Sequence, residues 1–242
     1  GARRHSVSHH EVEVDAARRA RGHVERSAQL LSSLEAFSQM YGGADGKDAV
    51  MDFLGQTGVD ALTGVDMLKP IPAQYSSSVE YGNDPLSQSL RGIAQVHTAN
   101  IGTRVFYAEL GGFDTHGAQM DTQTGLLTAV SQAVGDFFDD LNEHDAAEEV
   151  IMLIFTEFGR RIRDNGNGTD HGSGGSAFLI GGGVTGGLYG DYPSLEESDH
   201  LEGDLHFNND FRSIYSTIAE QWLEVDPDLV SNGQYEQHSF LS

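Results

Sequence analysis

The chain has 242 residues, of which 38% are hydrophobic, and this composition is sufficient for one substantial folded core. Its 37 Asp and Glu residues outnumber 14 Lys and Arg residues, giving a net charge of −23 that repels nucleic acid and anionic membranes. The sequence contains no run of about 18 apolar residues that could span a bilayer, and the absence of cysteine excludes disulfides and thiolate chemistry.

The N-terminal part of the chain is predicted to be helical. Apolar residues recur at spacings of three and four over residues 16–41, which is typical of an amphipathic helix, and Gly42 and Gly43 end the pattern. A helical pattern resumes over residues 48–68, where three glycines are expected to divide it into two shorter pieces. Two prolines follow, and we therefore predict a helical N-terminal segment over residues 1–75.

Residues 76–228 are predicted to form an α/β core. The predicted helices span residues 85–99, 122–142 and 210–223. The predicted strands span residues 104–110, 150–155 and 177–180. Because the second strand is an uninterrupted apolar run, which is typical of a buried parallel strand, we expect a mostly parallel sheet flanked by helices. The polar residues 229–242 are expected to form a loose tail.

Three segments beside the predicted strands carry side chains that bind metal ions. Asp114 and His116 lie two apart between glycines, and Glu157 directly follows the buried strand. Asp170 and His171 are adjacent in a glycine-rich stretch. Ligands of open parallel sheets bind outside the carboxyl ends of the strands, so we predict one shared site for a divalent ion such as Zn, Mg, Mn or Ca. The alternative for the first segment is that Asp114 caps a turn and His116 is polar surface.

Arginines cluster after the second predicted strand. Arg160, Arg161 and Arg163 form the densest positive group in the acidic middle of the chain. Guanidinium groups suit the oxygens of phosphate or sulfate, so these arginines are candidates for binding an anionic substrate. The alternative is that at least two of them pair with surface carboxylates.

Several segments resemble, in the same order, motifs of a bacterial protein family. The matching segments are residues 109–116, 157–161, 165–172, 178–190 and 210–215, which are similar to DLGGWDTH, SEFGRR, NGSGGTDHG, FLIGGGVKGGLYG and DFRSVY. The resemblance covers residues 81–226 and is to the DUF1501 family, an often exported group related to the alkaline phosphatase and sulfatase superfamily. Several independent motifs in one order make this resemblance specific.

The resemblance implies an alkaline-phosphatase-like fold, with one or two divalent cations at the strand ends, that hydrolyses phosphate or sulfate esters. The side chains it would make metal ligands are Asp114, His116, Glu157, Asp170 and His171. Arg160 or Arg161 would act catalytically by binding the non-bridging ester oxygens. The resemblance also implies an exported protein, periplasmic or extracellular.

One feature of that superfamily has no counterpart in the sequence. A first strand, followed by a metal-binding Asp and a hydroxyl nucleophile, is missing before Arg104. We therefore expect the chain to be the C-terminal portion of a longer protein, with its N-terminal half missing or supplied by a partner chain. Ser173 and Thr156 are the substitute nucleophiles to consider. The predicted function is a metal-dependent ester hydrolase or an inactive relative; the alternative is a non-catalytic exported envelope or assembly protein.

Overall fold

The computed structural model describes residues 49–241, and the helix predicted over residues 16–41 lies outside them. The helices are α1 (Ala49–Leu68), α2 (Ile71–Gln74), α3 (Pro85–Thr98), α4 (Gln119–Glu143), α5 (Phe211–Gln221) and α6 (Pro227–Ser231). The strands are β1 (Ile151–Ile154), β2 (Gly159–Asp164), β3 (Thr169–Gly172) and β4 (Phe178–Gly181). The residues group into two compact units that divide after Ala73. No helix in the described range is both long and apolar enough to cross a membrane.

The first unit contains α1, which is one continuous helix of 20 residues. The prediction that its glycines divide it into two pieces is therefore wrong. A glycine in a helix costs about 1 kcal/mol relative to alanine, but unlike proline it keeps its N–H group and the helical hydrogen bonds continue. Hydroxyl groups add local bonds along the same helix, with Thr57 and Thr63 donating to the carbonyls of Phe53 and Val59.

The core of the second unit is the packing of α3 against α4. The start of α3 confirms the sequence prediction, because the Asp84 side chain accepts a hydrogen bond from the Ser87 N–H and Pro85 occupies the first turn. Apolar residues four apart on each helix meet in one cluster. Its buried members are Leu86, Leu90, Ala94, Ala133, Phe137, Leu141 and Ala146. Burying each of the larger side chains stabilises the fold by about 1.5–3 kcal/mol.

The strand predicted over residues 104–110 is not formed within residues 49–241. Burial still alternates along this segment: Ala108 and Leu110 pack against the helical core, whereas Val105 and Tyr107 are 70% and 73% exposed. The period of two in burial shows that one face of this segment meets the core, as in a strand. A strand also needs a hydrogen-bonded neighbour, and none of the described strands pairs with this segment.

The four strands form two antiparallel pairs, so the expected parallel sheet is not what they build. β1 pairs with β4, placing Ile151 opposite Gly181, and β2 pairs with β3, placing Arg160 opposite His171. A parallel pair requires a crossover of about a dozen residues or more, whereas a short turn joins β2 to β3. The β2–β3 hairpin lies between β1 and β4 in the sequence. After the hairpin, β4 runs antiparallel to β1. Helices combined with these small sheets keep the fold in the α/β class.

The segment expected to be a loose tail makes specific contacts with α5. The hydroxyls of Ser216 and Ser231 are hydrogen-bonded at 2.8 Å, and the His238 N–H donates to the Thr217 hydroxyl at 3.0 Å. Further along, the Phe240 carbonyl accepts a hydrogen bond from the backbone N–H of Thr185, four residues after the end of β4. These contacts join the end of the described chain to α5 and to the β4 region.

Candidate metal centre

The candidate site lies where the loop before α4 meets the β2–β3 hairpin. The hairpin turn is closed by a hydrogen bond of 2.8 Å from the Asn165 N–H to the Gly168 carbonyl. Gly166 has a φ of +97°, a conformation that glycine adopts without strain, so the chain can reverse there. The reversal places β3, with Asp170 and His171, directly beside β2.

Two asparagines of this turn hold the loop that carries Asp114 and His116. The Asn165 side-chain amide donates to the His116 carbonyl at 3.2 Å. The Asn167 side-chain oxygen accepts a hydrogen bond of 3.1 Å from the Ala118 N–H. Sequence reasoning identified these asparagines only as parts of a glycine-rich loop. The sequence signal for this role is the pair of asparagines two residues apart in a turn, because asparagine side chains in turns commonly form hydrogen bonds with backbone groups.

Three of the predicted ligands converge on one point. The Nε2 atoms of His171 and His116 lie 2.7 Å and 2.9 Å from the same oxygen, Oδ1 of Asp114. One ligand atom from each of these residues lies within 4.8 Å of the others. The three side chains are between 42% and 66% exposed, so an ion and a substrate can reach them from solvent. This set is called the Asp-His-His cluster below.

The carboxylates of the site are held in their charged form. A hydrogen bond from His171 is the main cause that lowers the pKa of Asp114 below its ordinary value, and electrostatic interactions with His171 and His116 act in the same direction. Hydrogen bonds from Asn165 and then His116 lower the pKa of Asp170. Charged carboxylates are the form that binds cations.

Asp170 lies on the far side of His116 from Asp114. Its Oδ1 atom is 3.1 Å from His116 Nδ1 and 3.0 Å from the Asn165 amide. A carboxylate that accepts the Nδ1–H proton leaves the Nε2 lone pair of the same ring free for a metal. Asp170 therefore orients the His116 ring of the cluster.

The His171 ring is fixed by stacking on Phe158. The two ring centroids are 3.8 Å apart with an interplanar angle of 8°. The His116 ring is tilted beside it, with a centroid distance of 4.8 Å. Both imidazoles therefore have a defined orientation toward Asp114. Phe158 was not predicted as a site residue, because an aromatic residue after a strand usually indicates core packing.

Within residues 49–241, the side chains of Glu157 and the two candidate nucleophiles form no hydrogen bond with the cluster, and Glu157 is not among its converging ligand atoms. The Glu157 carboxylate is exposed and accepts a hydrogen bond from Thr156 at 3.4 Å. The Ser173 hydroxyl donates to the Leu205 carbonyl at 2.9 Å. In the described part of the chain, neither hydroxyl has a histidine as hydrogen-bond partner.

The three arginines have three different environments. Arg163 pairs with Glu197 at 3.3 Å on the surface, but it alone of the three has a carboxylate partner among the described residues, whereas the alternative interpretation expects at least two. Arg161 donates from Nε to the His171 carbonyl at 3.2 Å. Arg160 donates to backbone carbonyls on both sides of the site.

The fold and the site thus define an α/β protein with an exposed cluster of one carboxylate and two imidazoles. The model of a family described as a protein of unknown function, DUF1501, matches residues 2–221. The chain belongs to the DUF1501 family, which confirms the resemblance seen in its motifs. No curated protein and no solved structure matches the chain.

Proposed function

We propose that this chain is a metal-dependent hydrolase of phosphate or sulfate esters whose metal ligands are Asp114, His116 and His171. The observation that carries the proposal is the convergence of two Nε2 atoms on one carboxylate oxygen, at 2.7 Å and 2.9 Å. Three protein ligands in an exposed position leave room for further ligands, as in catalytic rather than structural metal sites.

The donor set of the Asp-His-His cluster fits a transition metal. Two imidazole nitrogens and one carboxylate oxygen suit Zn²⁺ better than Mg²⁺ or Ca²⁺, which prefer oxygen ligands throughout. When bound, a divalent cation would polarise an ester oxygen and lower the pKa of a nucleophilic water. Asp170 and Phe158 would hold the two imidazoles in the orientation that ligation requires.

Arg161 is the guanidinium that we propose for binding the non-bridging ester oxygens. Its Nε atom is used by the His171 carbonyl, but its two terminal nitrogens have no hydrogen-bond acceptor among the described residues. Its positive charge also contributes to the lowered pKa of Asp170, as expected of a charge near the cluster. A local positive group is needed because the net charge of −23 repels an anionic substrate.

We also propose the relation to the alkaline phosphatase and sulfatase superfamily, and export. The order of the motifs from residue 109 to residue 215 supports this relation. In the described chain no serine or threonine hydroxyl is hydrogen-bonded to His116 or His171. Water is accordingly the proposed nucleophile of this chain.

A second candidate function is a non-catalytic assembly protein that uses the same fold as a binding surface. Large apolar side chains exposed to solvent favour it, because such residues mark interaction sites when they lie together. Val105 and Tyr107, two residues apart in a segment whose burial alternates, are 70% and 73% exposed. Metal binding and turnover distinguish the two functions.

The test begins with metal binding to the purified, chelator-treated chain. Calorimetric titration with Zn²⁺ is expected to show one ion per cluster. Asp114→Ala and His171→Ala should weaken binding by more than about 100-fold, since changes in outer-shell partners already cost about 10–100-fold. Asp191→Ala and His206→Ala change the same residue types at exposed positions elsewhere and should bind Zn²⁺ as the unmodified chain does.

Turnover is then measured with an aryl phosphate and an aryl sulfate in the presence of Zn²⁺ or Mn²⁺. Hydrolysis that is lost in Asp114→Ala and retained in Asp191→Ala supports the hydrolase. A folded chain that binds Zn²⁺ but hydrolyses neither ester supports the assembly protein. A folded chain without measurable Zn²⁺ or Mn²⁺ binding overturns the metal site.

A further inference from the structure

Arg160 links the two segments that carry the metal ligands. Its Nη1 atom donates to the Thr169 carbonyl at 2.6 Å. Its Nη2 atom donates to the Phe113 carbonyl and, at 3.2 Å, to the Thr115 hydroxyl. Phe113 and Thr115 flank Asp114, and Thr169 precedes the Asp-His pair of β3. One side chain thus contacts both ligand-bearing segments.

We infer that Arg160 is a positioning residue: it sets the distance between Asp114 and His171 and does not bind the substrate. This inference rests on the proposed metal site. The guanidinium has five N–H donors in a planar fork, and three acceptors of the protein occupy three of the four N–H groups on its terminal nitrogens. The half-buried Arg160 side chain thus directs most of its donors at two backbone carbonyls and one hydroxyl of the protein, and this favours a positioning role over substrate binding.

The ring of Phe158 strengthens this arrangement. The Arg160 guanidinium carbon lies 5.1 Å from the Phe158 ring centroid, within the range of a cation–π contact. The same ring stacks on His171. The pairing of β2 with β3 also places Arg160 directly opposite His171. A change in the position of the guanidinium is consequently transmitted to His171 through both the ring and the backbone.

Lysine cannot replace these contacts. Its single ammonium nitrogen is a compact point charge and cannot reach acceptors on two separate segments with a fixed geometry. Arg160→Lys therefore keeps the charge but removes the link. A residue that bound substrate oxygens mainly through its charge would be replaced by lysine with a smaller loss.

The experiment compares Arg160→Lys and Arg160→Gln with Arg163→Gln. Arg163 lies on the same strand, and its partner within residues 49–241 is Glu197 on the surface. Zn²⁺ affinity is measured by calorimetry on each chelator-treated chain. The metal-free proteins are compared by NMR for the cross-relaxation between the His116 and His171 rings, whose centroids lie 4.8 Å apart. Far-ultraviolet circular dichroism checks that each variant is folded.

We expect both Arg160 variants to weaken Zn²⁺ binding by about 10–100-fold, the range for residues that orient metal ligands. We also expect them to lose the ring-to-ring cross-relaxation, while Arg163→Gln changes neither. Unchanged Zn²⁺ affinity in Arg160→Gln, with only a raised KM for the ester, would show a substrate-binding role and overturn the inference.

The NMR measurement separates failure of the inference from failure of the proposed function. If the unmodified chain binds no Zn²⁺, the proposed function fails, and loss of the ring contact in Arg160→Gln still supports the positioning role. Retention of the ring contact in that variant overturns it. If neither Arg160 variant folds, Thr115→Val removes one acceptor and keeps the arginine. It should weaken Zn²⁺ binding by up to about 10-fold, and an unchanged affinity would count against the inference.

Discussion

Gly159 allows two backbone segments beside the candidate site to touch. A Cβ atom at this position would lie 1.7 Å from the Gly174 carbonyl oxygen and 2.3 Å from its carbon. Both are backbone atoms, so the clash cannot be relieved by rotating a side chain. Because Gly159 begins β2 and precedes Arg160, its small size permits the path that places the guanidinium.

We predict that Gly159→Ala destabilises the protein by about 3 kcal/mol, the upper end of the cost of overpacking. Gly135→Ala is the matched control, since nothing lies within 4 Å of a Cβ there. Gly135 is an exposed residue inside α4, where alanine should stabilise by about 0.5–1 kcal/mol. Urea unfolding measures both free energies. Equal stability of the two variants would contradict the close approach at Gly159.

The sequence predicts most of the residues that build the site. They are Asp114 and His116, which lie two apart, and the adjacent pair Asp170 and His171. From the sequence alone, Asp114 and Asp170 are equivalent candidates for metal ligands. The structure distinguishes them, because Asp114 faces Nε2 of His116 whereas Asp170 faces Nδ1. Glu157 was predicted as a ligand on its position after a buried strand. The chain instead turns it outward at the start of the hairpin, where an unpaired carboxylate remains solvated.

At the scale of elements, His144 is one of the residues that attach the segment before α3 to the end of α4. His144 Nδ1 lies 2.8 Å from the Asp140 carbonyl and Nε2 lies 3.0 Å from the Ser76 carbonyl. A neutral imidazole has one N–H group, so only the imidazolium donates to both carbonyls. The Tyr75 ring stacks on the imidazole at 5.0 Å. The hydroxyls of Tyr75 and Tyr81 donate to the buried Asp140 carboxylate.

The charges around His144 favour the imidazolium. The hydrogen bond to the Asp140 carbonyl is the main cause that raises the pKa of His144 above its ordinary value, and the Asp140 and Glu143 carboxylates act in the same direction. Asp140 Oδ1 lies 3.3 Å from Nδ1. Since the folded pKa exceeds the unfolded value of about 6.5, the stabilisation is complete below that pH and is lost as pH rises through the folded pKa.

We predict that His144→Gln loses more stability at pH 5.5 than at pH 8.5. The free energy of unfolding is measured for both proteins across that range with a chelator present, and NMR titration of His144 checks that its pKa is raised. His206→Gln is the control, because the hydrogen bond and the ring contact of this exposed imidazole among the described residues are both with the neighbouring Phe207. A stability difference that does not vary with pH would show that His144 acts by packing alone.

The elements that the sequence predicted well carry local signals. The Asp84-Pro85 pair defines the start of α3, and apolar residues four apart define its buried face. Strand direction has no such signal, because an apolar run reports burial and not the direction of the neighbouring strand. The apolar run of β1 therefore favours a parallel strand as a sequence pattern. In the structure, its partner β4 follows the hairpin and runs antiparallel to it. The local sequence pattern contains no information about which distant segments pair with each other.

For the whole molecule, the excess of acidic groups opposes folding. A net charge of −23 brings like charges together in the compact state, and added salt shortens the range of their repulsion. The screening length falls from about 10 Å at 0.1 M to about 3 Å at 1 M ionic strength. Salt also weakens surface ion pairs such as Arg163–Glu197, but the two members of that pair are both 84% exposed and contribute little.

We predict that raising NaCl from 0.1 M to 1 M at pH 7.5 increases the thermal unfolding midpoint by several degrees, given about 2–4 °C for each kcal/mol in a protein of this size. The matched control is the same pair of salt concentrations at pH 4.5, where the net charge is near zero because the sequence pI is about 4.5. Relief of charge repulsion should then be absent, whereas a general effect of salt on apolar burial would persist at both pH values. Scanning calorimetry with a chelator measures the midpoints. An equal increase at both pH values would therefore assign the effect to apolar burial and contradict the electrostatic explanation.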